Sequence, residues 1–487
     1  MSKRIVLIAP PRFEKEIDNF LPQNLGLGYI ASYLEDYGHK VAIIDALAEG
    51  WHQRRFLKDK KLYLRGLSFK EIMNMVPMDS DFIGITIPFA GSIKIVAELA
   101  YFLKKNFPRI PIVSGGIAPS IDPLNVLSNK GIDMVIRGGG EIPMLKLVSD
   151  EEYSKINGLI FKTDRGIFHN GAQLELIENL DLMPFPARHL LPMNKYLSLS
   201  GRGRKDLKTA SILTSRGCPF NCTFCSIHHI YGYKWNGRSA NNVLLEIEEL
   251  IEKYKIEHIE FEDDNLTLES RRANQIFDGL IKMDKKITWS TPNGIRIDTL
   301  NKTLLTKMKK SGCVTLFLSI ESGDPEVLKI MNKQLDLNKV EEVVKICGEL
   351  DINTSGIFIV GYPGETRESF KKTVNYINKL KKLGLVGVGA SIAKAYPGTK
   401  LRDMCEKNDY LIDKNRYAEG RAIGEYVDIK TSYFSQNEIY ERLYSIRKKL
   451  NPLRYYMDAF YLTGIIKKLF PQWFIDLVKK KAYSLLR

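Results

Sequence analysis

The feature that most restricts the fold of this 487-residue chain is an alternation of short, β-branched apolar runs with longer stretches of helical periodicity. In residues 1–150 the apolar runs lie at Arg4–Ala9, Lys40–Asp45, Phe82–Pro88, Ile110–Ser114 and Met134–Arg137. Helical patterns, such as Gly28–Tyr37 and Ile93–Asn106, separate them. This order is typical of βαβ units around a parallel sheet. Residues 1–150 are therefore predicted to form a doubly wound, Rossmann-like α/β domain that binds ligands at the carboxyl ends of its strands.

The pattern changes in residues 151–200, which we interpret as a hairpin followed by a linker. Two short apolar runs flank Asp164-Arg165-Gly166, a turn sequence that favours a β-hairpin. Prolines at 184, 186 and 192 then indicate an irregular connection. A second domain should begin near residue 201.

The alternation resumes in residues 201–400. Strands are predicted at 211–214, 258–262, 288–291, 315–320, 354–360 and 387–393, each followed by a helical pattern or a glycine-containing turn. Six β/α units fit a partial (β/α)6 barrel better than the full eight-unit barrel of about 250 residues. Residues 401–487 are predicted to be mostly helical and basic.

Cysteine usage and apolar run lengths limit the cellular setting. Six cysteines are too few for a disulfide scaffold in a chain of this length, which favours a reducing, cytoplasmic location. The first apolar run is too short for the core of a signal peptide. No uncharged run approaches the roughly 18 to 20 residues of a membrane-spanning helix.

Three cysteines stand together at the end of the first predicted barrel strand. Cys218, Cys222 and Cys225 have a C-x3-C-x2-C spacing. Three thiolates on one loop can ligate three irons of a [4Fe–4S] cluster and leave the fourth iron open. The alternative is zinc, with His228 or His229 as the fourth ligand, although structural zinc sites usually pair two C-x2–4-C units. The sequence contains no second pair, so the spacing favours the cluster.

This loop, at the first β/α position of a partial barrel, resembles the signature of the radical S-adenosylmethionine (SAM) superfamily. The resemblance covers about residues 205–400 and implies that the open iron binds SAM and cleaves it reductively to a 5′-deoxyadenosyl radical. It also implies an external electron donor such as flavodoxin or ferredoxin. The SAM-binding residues that it implies are Phe224, Asp263, Asp264, Arg296, Ser319, Glu321 and Gly361. Taken singly, the acids could equally be helix N-terminal charges, and the glycine an ordinary turn residue.

Residues 1–217 contain no cysteine, which argues against the second cluster that methylthiotransferases carry. Segments that begin at Asn24, Ser114 and Arg137 instead resemble the cobalamin-binding domain of the B12-dependent radical SAM family. The cobalamin-binding residues implied are Asn24, Leu25, Thr86, Ile87, Gly115, Gly116, Gly138 and Glu141. Ala118 stands where that family often has histidine, and no Asp-x-His-x-x-Gly motif is present to supply a cobalt ligand. The alternative is a flavodoxin-like domain without cobalamin.

The net charge of +15 is concentrated near the end of the chain. Residues 441–487 hold eleven Lys and Arg against three Asp and Glu, interleaved with aromatic residues. Such a segment is typical of peripheral contact with an anionic membrane, or of a helical cap over the barrel mouth. No nucleic-acid-binding module accompanies the charge.

Together these features predict a radical SAM enzyme that uses cobalamin to methylate an unactivated carbon of a small molecule, with a lipid or natural-product intermediate as the candidate substrate. A cyclisation or rearrangement enzyme, with or without functional cobalamin, is the first alternative. A metal-stabilised binding protein with a membrane-facing basic tail is the second.

Overall fold

The computed structural model describes residues 2–14, 20–58, 62–170, 173–199, 207–414, 427–431 and 433–449. None of the helices within these ranges combines the length and the apolarity that crossing a membrane requires. The basic segment 441–487 lies outside the described residues from 450 onwards.

Two sheets organise the fold: a mainly parallel one in the amino-terminal half of the chain and a parallel one in the other half. The strands of the amino-terminal half are β1 Arg4–Ala9, β2 Arg12–Glu14, β3 Lys40–Asp45, β4 Arg54–Leu57, β5 Leu62–Arg65, β6 Phe82–Thr86, β7 Ile112–Gly115, β8 Met134–Ile136, β9 Leu159–Thr163 and β10 Gly166–His169. Its helices are α1 Leu25–Asp36, α2 Ala46–Glu49, α3 Phe69–Met75, α4 Ile93–Asn106, α5 Ile117–Ile121, α6 Pro123–Leu127 and α7 Glu141–Val148.

The main amino-terminal sheet has the order β10-β9-β8-β7-β6-β1-β3. Strands β3, β1, β6, β7 and β8 are parallel, which confirms the doubly wound α/β fold. Several strand bounds of this sheet differ by one or two residues from those predicted. Proline accounts for two of them because it has no N–H for the ladder: β6 ends before Pro88, and β7 begins after Pro111. The predicted hairpin forms β9 and β10 and extends this sheet in antiparallel fashion.

A second, three-stranded antiparallel sheet in this half has the order β2-β5-β4 and was not predicted. Its strands are three or four residues long and rich in arginine, so they lack the apolar alternation that indicates a strand. It lies at the carboxyl ends of β1 and β3, where the amide of Leu67 donates to the carbonyl of Ala46.

The barrel is an open, six-stranded parallel sheet of order β11-β14-β15-β16-β17-β18. Its strands, with the short pair β12 and β13, are β11 Thr209–Ile212, β12 Ser215–Arg216, β13 Asn236–Gly237, β14 His258–Phe261, β15 Thr288–Ile295, β16 Cys313–Glu321, β17 Asn353–Val360 and β18 Gly387–Ile392. The remaining helices are α8 Met193–Leu199, α9 His228–Tyr231, α10 Ala240–Tyr254, α11 Ser270–Lys282, α12 Lys302–Lys310, α13 Pro325–Ile330, α14 Leu337–Glu349, α15 Arg367–Lys382, α16 Lys400–Lys407 and α17 Gln436–Tyr444. The predicted partial (β/α)6 barrel is confirmed.

The two halves share apolar packing. The largest buried cluster contains Trp51 from the amino-terminal half, Tyr196 from α8 and Ala210 from β11. At the other edge of the barrel, α17 packs on β17 and β18, and Arg447 donates to the carbonyl of Ala390 on β18. This covers the last strand, whose unpaired edge would otherwise be exposed.

Candidate functional site

The cysteine loop follows β11 and β12 at the carboxyl edge of the barrel. Cys218, Cys222 and Cys225 are half-buried, whereas the other three cysteines of the chain are buried. Burial, with a smaller contribution from the two neighbouring thiols, raises the pKa of Cys225 to about 12. Cys225 is therefore protonated at neutral pH, and a metal that binds there must displace its proton. No group of three His, Cys, Asp or Glu residues in the described part of the chain is already arranged around a metal position.

Hydrogen bonds hold this loop against two other parts of the barrel, the segment after α13 and the helix α16. The Asn332 side chain donates to the carbonyl of Asn221 at 2.8 Å, and the amide of Thr223 donates to the carbonyl of Met331 at 3.0 Å. The amide of Leu401 in α16 donates to the carbonyl of Thr223 at 2.8 Å. Because residues 221 and 223 flank Cys222, these bonds position that thiol.

The two histidines considered as zinc ligands face backbone carbonyls. His228 Nε2 lies 3.1 Å from the carbonyl oxygen of Cys218, and its ring stacks on Tyr233. His229 Nε2 lies 2.8 Å from the carbonyl oxygen of Gly398, the turn that follows β18. Their contacts thus brace the cysteine loop and link the first barrel strand to the last.

The acids after β14 have separate roles. Asp263 is buried, and its carboxylate accepts hydrogen bonds from the Thr214 amide and hydroxyl and from the Ser215 hydroxyl. Asp264 accepts from the amide of Gly217 at 3.2 Å. Burial, together with the charge of the neighbouring Asp263, raises the pKa of Asp264 to about 6. Asp263 therefore supports the strand that leads into the cysteine loop, and Asp264 is the better candidate for the SAM amino group.

Arg296 lies beside the cysteine loop. Its guanidinium carbon is 3.3 Å from the ring centroid of Phe220. Its Nε donates to Asp298, and Nη2 donates to the carbonyl of Gln334 at 3.4 Å. The side chain is 9% exposed, so its charge acts on the site with little solvent screening.

Ser319 and Glu321 lie at the end of β16, where its pairing with β17 is irregular. A Cβ atom at Gly294 would lie 2.3 Å from the Ser319 hydroxyl, so only glycine permits this approach. Glu321 has a φ of 67°, which is uncommon for a residue with a side chain. Its carboxylate forms a buried ion pair with Lys333 at 3.1 Å.

Phe224 and Gly361 lie on the side of the loop nearest to β17. The Phe224 ring meets Tyr362 edge-to-face, with 6.5 Å between centroids. Gly361 has a φ of 75°, and a Cβ atom there would lie 3.0 Å from Ile439 of α17. The glycine thus serves two needs, a left-handed backbone and close packing of the carboxyl-terminal helix.

Four of the residues implied for cobalamin lie together, at the ends of β6 and β7. Thr86 and Gly115 are paired across the two strands. Gly116 has a φ of 110°, and the carbonyl of Ile87 accepts from the amide of Ala118. A Cβ atom at Gly115 would meet only one atom within 4 Å, so space is open above it. The apolar side chains of Phe89 and Ile117 nearby are 44% and 39% exposed.

The other four face the protein itself. Asn24 donates to Asp45 at 2.6 Å, and Leu25 is buried with Tyr29 and Met183. A Cβ atom at Gly138 would lie 3.2 Å from the carbonyl of Ile230, a residue of the barrel half. Glu141 forms a buried ion pair with Arg216, two residues before Cys218.

These contacts bring the carboxyl edges of the two sheets face to face. Besides the Glu141–Arg216 pair, α5 after β7 packs on α9 after the cysteine loop. The donor set of three half-buried thiols on one loop fits a [4Fe–4S] cluster. The open glycine and exposed apolar side chains at β6 and β7 fit a large, flat, apolar cofactor such as a corrin.

Sequence reasoning missed Arg216 and the segment Met331–Gln334. Both contact the cysteine loop or its neighbours, but neither belongs to a motif. The one local signal in the sequence is the polar run Asn332-Lys333-Gln334 shortly after a short helical pattern. In the structure, Asn332 and Gln334 have φ values of 52° and 49°.

Comparison with known proteins agrees with this geometry. The family model described as the radical SAM superfamily matches residues 212–377, and that described as the B12 binding domain matches residues 19–148. An uncharacterised methyltransferase of Pyrococcus horikoshii, PH0819, is 32% identical over 85% of this chain and 85% of its own length. The cytidylyl-2-hydroxyethylphosphonate methyltransferase of Streptomyces wedmorensis is 28% identical over 80% of this chain and 78% of its own. The radical SAM methyltransferase TsrM from Kitasatospora setae, solved with cobalamin and a [4Fe–4S] cluster, has the same fold, with a TM-score of 0.67, 19% identity and coverage of 84% and 79% of the two chains.

Proposed function

This chain belongs to the cobalamin-binding radical SAM family, and on that premise we propose that it methylates an unactivated carbon of a small molecule. Its cofactors are a [4Fe–4S] cluster, SAM and cobalamin. When bound, they supply a carbon-centred oxidising radical and a transferable methyl group. The protein's own part is to hold these groups in register, orient the substrate and exclude water.

We assign the ligands from the arrangement of side chains described above. Cys218, Cys222 and Cys225 are proposed to hold the cluster. Asp264, Arg296, Ser319 and Glu321 line the neighbouring strand ends and are proposed to contact SAM, with Phe224 and Gly361 on the opposite side of the loop. Thr86, Ile87, Gly115 and Gly116 are proposed to contact cobalamin.

The observation that carries the proposal is the joining of the two carboxyl edges. A methyl donor and a radical source can act on the same carbon only if both reach one cavity. The buried Glu141–Arg216 pair fastens the end of β8 directly to the strand that precedes Cys218. This connection supports a single reaction chamber between the two sheets rather than two independent sites.

The test is anaerobic reconstitution of the full chain with iron, sulfide and hydroxocobalamin, followed by reduction in the presence of SAM with deuterium in its methyl group. We expect a corrin absorption spectrum in the desalted protein, 5′-deoxyadenosine in the supernatant and deuterium in the corrin fraction. Absence of the corrin spectrum would overturn the methylase assignment, and absence of 5′-deoxyadenosine would overturn radical chemistry altogether.

The same experiment separates methylation from cyclisation or rearrangement. A cyclase or rearrangement enzyme has no need to move the SAM methyl group, so deuterium would stay in SAM and its products. Flavodoxin or ferredoxin, compared with dithionite as reductant, identifies the physiological class of electron donor by the rate of 5′-deoxyadenosine formation.

The substrate class is proposed to be a natural-product or lipid intermediate. The relative from Streptomyces wedmorensis is named for a nucleotide-linked phosphonate, which supports the first class. The basic, aromatic composition of residues 441–487 supports the second, because such segments bind anionic lipid surfaces. Sedimentation of the full chain with vesicles of anionic or neutral lipid separates the two: salt-sensitive binding to anionic vesicles alone favours a lipid intermediate.

A further inference from the structure

The segment Met331–Gln334, between α13 and α14, contacts both the cysteine loop and the polar groups at the ends of β15 and β16. Its first two residues bind the loop on either side of Cys222: the carbonyl of Met331 accepts from the Thr223 amide, and the side-chain amide of Asn332 donates to the carbonyl of Asn221. Its last two residues contact Glu321 and Arg296, through the Lys333 side chain and the carbonyl of Gln334. Four consecutive residues thus connect the proposed cluster site to the proposed SAM site.

One of these contacts, that of Lys333 with Glu321, places a pair of opposite charges near Cys222. The Lys333 and Glu321 side chains are 10% and 8% exposed, and 3.1 Å separates Nζ from Oε1. Burial raises the pKa of the Cys222 thiol, while Lys333 lowers it and Glu321 raises it. Both charges therefore act on Cys222, in opposite directions. Salt screens such buried charges only weakly.

The backbone around this pair has an uncommon conformation. Asn332 and Gln334, on either side of Lys333, both have left-handed φ values, and Glu321 has one as well. Such a conformation is uncommon in a residue with a side chain and persists where surrounding contacts enforce it. Lys333 thus lies between two residues of this conformation and pairs with a third, Glu321.

We propose that Lys333 and Glu321 form a charge-compensated pair that sets the reduction potential of the iron–sulfur cluster held at Cys222. This inference rests on the proposed assignment of the three cysteines as cluster ligands. Charges and hydrogen bonds around a cluster tune its potential, because reduction adds a negative charge that nearby cations stabilise and nearby anions oppose. An intact pair leaves the two contributions nearly balanced.

Single charge removals then have opposite effects. Lys333→Met leaves Glu321 uncompensated and is expected to lower the potential, which makes the cluster harder to reduce. Glu321→Gln leaves Lys333 uncompensated and is expected to raise the potential. The double variant is expected to return close to the wild-type value, and Lys333→Arg to retain it. A purely structural role would not produce shifts of opposite sign.

The measurement is a redox titration of the reconstituted full chain followed by electron paramagnetic resonance, with and without SAM. Iron and sulfide content is measured first for every variant. Lys329→Met is the matched control, since Lys329 is an exposed lysine of α13, four residues before Lys333. The cluster of this variant should have the reduction potential of the wild type. Glu321→Gln is isosteric and removes a buried charge, so it keeps the test valid if Lys333→Met assembles poorly.

Two outcomes would overturn the inference and are distinguishable from each other. If the wild-type chain assembles a cluster but the two single variants shift its reduction potential in the same direction, the charge pair alone is refuted. The same holds if neither variant shifts the potential by more than the Lys329→Met control does. A wild-type chain that assembles no cluster, or a Cys222→Ala chain that assembles one normally, refutes the cysteine assignment and the inference together.

Discussion

The carboxylate of Glu141 and the guanidinium of Arg216 form a buried ion pair across the two halves of the chain, with 2.7 Å between Oε1 and Nη2. Glu141 begins the helix after β8, and Arg216 precedes Cys218 by two residues. Arg216 also lies over the rings of Tyr29 and Tyr231. The pair therefore fixes the position of the cysteine loop relative to the edge of the amino-terminal sheet.

Removing one partner of this pair should destabilise the protein strongly. In Glu141→Gln, Arg216 stays buried without a counter-charge, and we expect the unfolding free energy to fall by about 3 kcal/mol. Urea unfolding of the metal-free protein measures this change. Asp150→Asn, which breaks the exposed Lys3–Asp150 pair, is the control and should change stability by less than about 1 kcal/mol. Equal losses in both variants would contradict a buried, interdomain role for Glu141.

Loss of one loop thiol should abolish the cluster. Cys222→Ala removes one of the three proposed iron ligands, so we expect iron and sulfide to fall to background and SAM cleavage to cease. Iron analysis and 5′-deoxyadenosine quantification measure both effects. Cys347→Ala, at a buried cysteine of the barrel core, should keep its iron content despite a modest loss of stability. Retention of iron by the Cys222 variant would point to other ligands.

A second buried charge network joins the linker to the barrel. Glu246 of α10 pairs with Arg188 at 2.6 Å and also with Arg238, and none of the three side chains is more than 5% exposed. Glu246→Gln leaves two buried guanidinium groups without a carboxylate, and we expect the free energy of unfolding to fall by about 3 to 5 kcal/mol.

The control for this network lies on the same helix. Glu249 pairs with Lys253 on the exposed face of α10, one turn apart. Glu249→Gln should cost no more than about 0.5 kcal/mol. Thermal and urea unfolding of the two variants compare the sites directly, and similar midpoints would mean that the buried network contributes nothing beyond a surface pair.

Glu365 should make stability fall as the pH rises through the weakly acid range. Burial raises the pKa of Glu365 from 4.5 to about 7, although Arg442 and the amides of Gly361 and Tyr362 act in the opposite direction. The folded state then binds a proton more tightly than the unfolded state between these values. Relative to Glu365→Gln, the wild-type chain should lose about 3 kcal/mol of stability between pH 4.5 and 7. Urea unfolding across this range measures the difference.

Glu438 on α17 tests the opposite sign. Hydrogen bonds from the Ser435 amide and from Arg367 lower the pKa of Glu438 to about 2. The stability that the Glu438 carboxylate contributes, measured as the difference in unfolding free energy between the wild type and Glu438→Gln, should therefore be present above pH 4.5 and be lost as the pH falls toward 2. The same sign in both variants would contradict the burial of Glu365.

The parts of the fold that sequence reasoning predicted are those with a strong local pattern. Parallel strands such as β1 and β17 are buried on both faces and appear as apolar runs. The strands β2, β4 and β5 were missed because they are short and charged, and their pairing depends on residues far apart in the chain. The hairpin β9–β10 was predicted, but not its pairing with β8.

The candidate site divides along the same line. The cysteine loop and the order of the strand ends follow from spacing, so they could be predicted. The role of Asp263 as a support for Thr214 and Ser215, and the contacts of Lys333 and Arg216, could not. Each depends on which buried groups meet after folding.

By itself, the sequence determined the two α/β units and the three thiols on one loop, because periodicity and spacing are local properties. Its motifs also carried the resemblance to the family to which the chain belongs. Only the tertiary structure decided that Glu141 joins Arg216 rather than lining an open cleft, and that Lys333 balances Glu321 beside Cys222. Glu141 and Arg216 are 75 residues apart in the chain. A buried charge requires a counter-charge, and the folded chain alone determines which residue supplies it.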